Sequence, residues 1–268
     1  AVIDNAKEIP GYFSFSHIYK DGASQSYSPL QMASMLAWGL GYFGMPHILL
    51  RFMAAKDSKK LKLSRRIATV WVVISLTVAV LIGIIGNAMT KAGVLDNLSD
   101  SETIIIEIAK LVSSHGAIAA IIAGVILAGI LAATMSTSDS QLLAASSSVS
   151  KDIITDFFGL KISNKAAMII ARVTVVIISI IAIFIARDPD SSVFNIVSFS
   201  WAGFGASFGP VVLFSLFWKR TNKWGALAGM ISGGAMVFIW KYGISKLGGA
   251  WGIYELLPAF MVAIAANI

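Results

Sequence analysis

"AWGLGYFGMPHI", residues 37–48, places three glycines, a proline and a histidine between two apolar flanks, "LQMASML" before it and "LLRFMAA" after it. A helix running through residue 46 would lose a hydrogen bond, because Pro46 has no N–H for the carbonyl of Tyr42 and its ring crowds the same turn. Gly39, Gly41 and Gly44 weaken a helix further, by about 1 kcal/mol each relative to Ala. The stretch therefore predicts a locally unwound segment. Backbone exposed at mid-membrane depth survives only where protein covers it or it lines a cavity. Trp38 and Tyr42, four residues apart, would share one face of a helix and flank the weak point with two aromatic surfaces and two polar tips. Two readings fit these residue types: a packing kink with close helix contact through the glycines, or a break that a ligand meets. The residue types alone leave both open.

Composition gives the setting. Of 268 residues, 57% are hydrophobic and 13% charged, with a mean hydropathy of +0.79, which is the composition of a membrane protein rather than a soluble domain. The absence of cysteine excludes a disulfide framework, a thiolate metal site and a cysteine nucleophile. The net charge of +7 comes from short basic runs between apolar blocks. It does not come from basic residues interleaved with aromatics on a polar background, which argues against nucleic acid as a partner.

A helix needs about 20 predominantly apolar residues to cross a bilayer. Seven blocks meet that requirement, at 30–50, 67–90, 117–138, 166–186, 193–217, 224–242 and 252–268. The expected fold is an all-α integral membrane helix bundle, in which neighbouring helices satisfy the backbone groups freed by Gly and Pro. "RFMAAKDSKKLKLSRR", residues 51–66, carries Arg51, Lys56, Lys59, Lys60, Lys62, Arg65 and Arg66 against Asp57 alone, which assigns it to the cytoplasmic side. Alternation from there puts Lys151, Lys161, Lys165, Arg172, Lys219, Arg220 and Lys223 inside as well. Most acids then lie outside, including Asp4, Glu8, Asp21, Asp96, Asp100, Glu102, Glu107, Asp188, Asp190 and Glu255. Residues 1–29 read as an extracellular loop that leaves an earlier span. With no initiator Met, no signal-peptide pattern and an end inside the apolar run "FMVAIAANI", the chain is expected to be the C-terminal part of a longer protein.

"AGILAATMSTSDSQLLAASSSVSKD", residues 128–152, adds a second feature. Ala133, Ser136 and Thr137 fall at i, i+3 and i+4, so one backbone carbonyl and two hydroxyls share a helical face. Neutral oxygens of this sort suit a weakly held cation such as sodium. Serine and threonine in membrane helices also bond back to their own backbone or across to another helix, and that reading stays open. Asp139, near the cytoplasmic end, fits either a functional acid or a solvated one. The three histidines, His17, His47 and His115, lack metal-ligand spacing and have no carboxylate pair or nucleophile motif beside them, so no enzyme is expected.

In these two stretches, in "SFSWAGFGASFGPVVLFSLFWKR" (residues 198–220) and in "TNKWGALAGMISGG" (residues 221–234), the chain resembles the sodium/solute symporter family, most closely its sodium/proline symporters. The resemblance covers nearly the whole chain. It implies that residues 30–217 form the second five-span repeat of a leucine-transporter-type inverted-repeat core. Residues 218–268 would be peripheral C-terminal spans, and the first repeat would be a missing N-terminal half of the same transporter. Carried over by position, Trp38, Tyr42 and Pro46 match substrate-binding residues, and Ala133, Ser136 and Thr137 match sodium ligands. The implied function is sodium-coupled uptake of a small solute, L-proline, across the plasma membrane, with Na+ as coupling ion. Met45 stands where those symporters often have Gln, which bears on the choice of solute; Asp139 stands where they can have Ser, which leaves the sodium triad intact. The alternatives are another small organic solute and a transporter-like sensor module of a membrane histidine kinase.

Overall fold

A computed structural model describes residues 10–20, 23–187 and 192–268. Asp4, Glu8, Asp21, Asp188 and Asp190, expected on the outer side, lie outside the described residues. The loop expected at 1–29 carries a hairpin that composition did not announce. Its strands β1 (His17–Lys20) and β2 (Ala23–Ser26) pair antiparallel, with His17 opposite Ser26 and Ile18 opposite Gln25.

Helices make up most of the rest. In chain order they are α1 (Pro29–Leu36), α2 (Pro46–Met53), α3 (Ser58–Lys91), α4 (Ile104–Ser113), α5 (Ala117–Ser147), α6 (Asn164–Ile185), α7 (Val193–Phe217), α8 (Lys223–Tyr242) and α9 (Leu256–Asn267). A π-helical stretch, Ser148–Phe157, prolongs α5; the wider winding shows in Thr155, whose hydroxyl donates to the carbonyl five residues back, Ser150, at 3.2 Å. Among the described residues, five helices are long and apolar enough to cross a membrane: α3, α5 with its π continuation, α6, α7, and α8 with the turn after it. The chain is an all-α, multi-pass membrane protein.

Two of the seven expected spans take another form. Residues 30–50 are interrupted, as described below. In the run 252–268 helix starts at Leu256 and runs to Asn267, after 3-10 turns and Gly248 and Gly249, both at positive φ (71° and 58°), have held the preceding chain in a bend. Hydropathy counts apolar side chains and is blind to that backbone geometry.

The described residues form two compact units, one of the residues up to Tyr27 with Ala55–Ser138, the other of Ser28–Ala54 with Asp139–Ile268. In the first unit, Asp57 caps α3 by accepting the Lys59 N–H at 2.9 Å, so the single acid of the basic loop is engaged with backbone. The helix stops at Gly93, φ 69°, where the Val94 N–H turns back to the Met89 carbonyl at 2.9 Å. Ile104 of α4 packs on Gly86, where a Cβ would collide with it. The most apolar 18-residue window of α3 has none of its residues buried, a surface suited to lipid or to further helices rather than to water.

In the second unit the core lies between α7, α8 and α9. Ala202 and Ala206, Val237, and Leu256, Ala259 and Phe260 are all 2% exposed or less. Small residues let these helices approach closely, as membrane packing requires: Gly209 sits under the Phe260 ring and Gly233 against the Ala206 carbonyl, with no room for a Cβ at either.

Candidate functional site: an interrupted, aromatic-lined span

The span expected at 30–50 begins as a well-capped helix. Ser28 accepts the Gln31 N–H at 3.2 Å while the Gln31 side chain accepts the Ser28 N–H at 2.8 Å, and Pro29 takes the first helical position. After Leu36 the winding tightens into a 3-10 turn, Ala37–Phe43, closed by Gly44, whose N–H reaches the Gly41 carbonyl at 3.0 Å. Met45 is then extended (φ −79°, ψ 114°), as a residue before proline prefers, and Pro46 opens α2. The next backbone bonds run from the Ile48 and Leu49 N–H groups to the Met45 carbonyl. The Tyr42 and Phe43 carbonyls fall between the two sets, and no backbone N–H among the described residues is bonded to either.

The expected break is therefore present, but Pro46 acts differently from the expectation. It starts a new helix instead of kinking a continuous one. The shared helical face of Trp38 and Tyr42 also needs correction: a 3-10 helix has about 3 residues per turn, so residues four apart point about a third of a turn away from each other. What unites the two rings is Trp201 of α7. Trp38 stacks on it with centroids 5.6 Å apart at 14°, and Tyr42 meets it edge-on at 4.7 Å and 85°. The Trp201 Nε1–H donates to the Trp38 carbonyl at 2.9 Å, which ties the tightened segment to α7.

The glycines divide by role. A Cβ on Gly41 would collide with the Trp201 indole and one on Gly44 with the Phe204 carbonyl, so both exist to let the segment lie on α7; Gly39 faces open space. The packing reading thus accounts for two of the three glycines. It accounts for the Trp38 ring as well, and leaves only Tyr42 over. Trp38 is also stacked with Phe194 (5.6 Å, 11°) and Tyr254 (5.8 Å, 21°), while Tyr42 stays 51% exposed beside the joint. Sequence reasoning missed Trp201 and Tyr254. The available signal for Trp201 was its spacing to Gly205 and Gly209, a large-small-small stripe that offers a docking face to another glycine-bearing segment; Tyr254 had none.

Ala133, Ser136 and Thr137 lie in α5, in the other compact unit, and all three are exposed. The Thr137 hydroxyl donates to the Ala133 carbonyl at 3.2 Å, so the back-bond that sequence reasoning left open is made. The oxygens available here come from one helix face, and a sodium shell requires partners on its other sides. The histidines have local roles: the His115 Nδ1–H donates to the Leu111 carbonyl at 3.0 Å, and His17 Nδ1 bonds the Ser14 and Ser16 hydroxyls. Among the described residues no three His, Asp or Glu side chains converge on a point.

Discontinuous helices of this kind build the binding sites of secondary transporters. The chain belongs to the sodium:solute symporter family, whose sequence profile it matches over residues 2–233. It is 44% identical over 243 residues to the osmoregulated proline transporter OpuE of Bacillus subtilis, an alignment covering 90% of this chain and 47% of that protein. It is also 44% identical over 248 residues to the sodium/proline symporter of Haemophilus influenzae, covering 91% and 48%, and 44% identical over 238 residues to the high-affinity proline transporter PutP of Bacillus subtilis, covering 88% and 48%. The chain spans about half the length of the curated relatives it matches. No solved structure matches it.

Proposed function

We propose that this chain supplies the second half of a sodium-coupled symporter that takes up L-proline across the plasma membrane, with residues 51–66 cytoplasmic and residues 1–29 outside. One observation carries the reading: the span at 30–50 breaks at Gly44–Met45, beside an exposed Tyr42 ring, with backbone carbonyls left over at the joint. Proline fits such a place. Its compact ring packs on an aromatic face, while its ammonium and carboxylate need polar partners that only interrupted backbone offers in the middle of a bundle. The names and 44% identity of the bacterial proline transporters point the same way.

In this reading residues 30–217 are the second repeat of an inverted-repeat core, 218–268 are peripheral, and the N-terminal half of the same transporter is the partner that encloses both sites. Trp38, Tyr42 and Pro46 line the solute site. Ala133, Ser136 and Thr137 contribute oxygens to sodium, the rest of whose shell comes from that other half. Sodium binding favours the outward-open bundle, solute then binds at the joint, and alternating access exposes both inward. Coupling requires that sodium prefer one state over the other, by about 1 to 3 kcal/mol in typical coupled systems.

The test uses the full-length transporter with a cysteine replacing Tyr42 in a cysteine-free background. Excess proline should shield that cysteine from alkylation only when sodium is present, and Trp38→Ala should weaken proline uptake at unchanged abundance. If another solute shields and proline does not, the solute assignment fails. If no solute shields, the joint is a packing kink and nothing more.

A further inference from the structure

We propose that Tyr254, in the turn between α8 and α9, is a positioning residue for the solute site: it fixes the Trp38 ring from the C-terminal spans outside the five-span repeat. The inference rests on the reading of Trp38 as part of that site.

Three parts of one residue make three separate contacts. The Tyr254 backbone N–H donates to the Ser34 hydroxyl of α1 at 2.7 Å, its ring stacks on Trp38 at 5.8 Å and 21°, and its hydroxyl donates to the Ser198 carbonyl of α7 at 2.7 Å. Ser34 and Ser198 are buried, at 2% and 5% exposure, so both polar partners lie where water does not compete. Tyr254 therefore ties the helix before the break to the helix that carries Trp201, and Trp38 lies between them.

The turn that presents Tyr254 is itself anchored on both sides of that residue. The Trp240 Nε1–H of α8 donates to the Ile253 carbonyl at 3.2 Å. Lys241 Nζ lies 3.3 Å from Oε1 of the buried Glu255, an ion pair without a directed hydrogen bond. A ring held at its backbone, its hydroxyl and its two neighbours has little freedom to follow Trp38 if Trp38 moves. The mechanical consequence is that Trp38 takes its orientation from Tyr254 and Trp201 together, one ring on each of two elements. A loose supporting ring changes how well the site fits its solute before it changes how many molecules fold.

The experiment measures sodium-driven proline uptake by the full-length transporter carrying Tyr254→Ala, Tyr254→Phe or Ser34→Ala, with abundance measured in each. Tyr254→Ala should raise the KM for proline by about tenfold with turnover per copy at saturating proline retained, and Tyr254→Phe, which keeps the stacked ring, should recover most of that loss. Ser34→Ala, which removes the acceptor for the Tyr254 N–H, should raise KM by about threefold. A merely structural role gives fewer copies with unchanged KM, and that result in Tyr254→Ala overturns the proposal. If Tyr254→Ala does not reach the membrane, an unchanged KM in Ser34→Ala overturns it equally. Failure of the underlying reading is recognised separately: in that case the cysteine at position 42, with Tyr254 intact, is shielded by no solute, and both ideas fall together.

Discussion

Substituting alanine for each of the three glycines at the break separates packing from flexibility. At Gly44 the added Cβ meets the Phe204 carbonyl and comes within 2.8 Å of the Gly205 Cα, both backbone, so no side chain can rotate away. Overpacking of this kind costs about 1 to 3 kcal/mol, a fall of about 5- to 150-fold in the ratio of folded to unfolded protein. At Gly41 the obstacle is the Trp201 indole, whose Cε2 would lie 2.7 Å away. The indole is held by its bond to the Trp38 carbonyl and by its stacking, so Gly41→Ala is also costly. Trimming Trp201 should relieve Gly41→Ala but leave Gly44→Ala at full cost, which a double-mutant cycle reads directly. Gly39 has nothing within 4 Å, and Gly39→Ala should be neutral or gain up to about 1 kcal/mol from reduced chain entropy. The assay is heat-induced loss of monodisperse full-length protein in detergent, compared at one heating rate because unfolding is irreversible. The order of midpoints should be Gly39→Ala at or above the parent, then Gly41→Ala and Gly44→Ala below it. Equal loss at Gly39 and Gly44 would refute the reasoning, since it would mean that the glycines act through chain flexibility and not through the approach of α7.

Three other outcomes follow from the same geometry. Ser136→Ala and Thr137→Ala should each raise the sodium concentration for half-maximal uptake by about fivefold, the equivalent of about 1 kcal/mol for one neutral ligand; unchanged sodium dependence in both would remove them from the site. A cysteine at Ser58, in the basic turn that opens α3, should react with a membrane-impermeant reagent only after permeabilisation, and labelling of intact cells would reverse the orientation. Residues 1–268 alone in liposomes should show no sodium-dependent proline uptake, because in the proposed reading the α5 oxygens supply only one face of a sodium shell; uptake by this chain by itself would overturn the one-sided site.

The break was legible in the sequence because glycine and proline act on the backbone wherever they stand, and "GYFGMP" contains both. The use made of it was less legible. Reading Trp38 and Tyr42 as helical neighbours assumed 3.6 residues per turn, and the tightened winding over Ala37–Phe43 invalidated the assumption. Their actual meeting point, Trp201, is 163 positions from Trp38, and Tyr254 is 220 from Ser34. Contacts at such separations leave no periodicity to read in one sequence. The α5 oxygens show the opposite case: a relation of i to i+4 is local, so the link between Ala133 and Thr137 followed from spacing and is present as a bond. Helix in the last apolar run starts at Leu256 and not at 252, because apolar composition says nothing of the glycine turn before it.

A helix interrupted within a membrane leaves polar backbone that lipid cannot satisfy, at a cost of several kcal/mol for each orphaned group. The way this chain disposes of those groups argues for a purpose. Around the break the chain is tied to its neighbours: the Trp38 carbonyl takes the Trp201 indole N–H, and the Ser34 hydroxyl of α1 takes the Tyr254 N–H. Glycines at 41 and 44 then bring the segment against α7, so most of the irregular stretch is covered by protein. Ala37, Gly41, Gly44 and Met45 are all buried. Had the break been only a device for close packing, the same economy would extend through the joint. It stops there: the Tyr42 and Phe43 carbonyls accept no backbone N–H among the described residues, and the Tyr42 ring beside them is half exposed. Hydrogen-bonding capacity and aromatic surface are left over at the same few residues, the two features on which the proposed solute site rests.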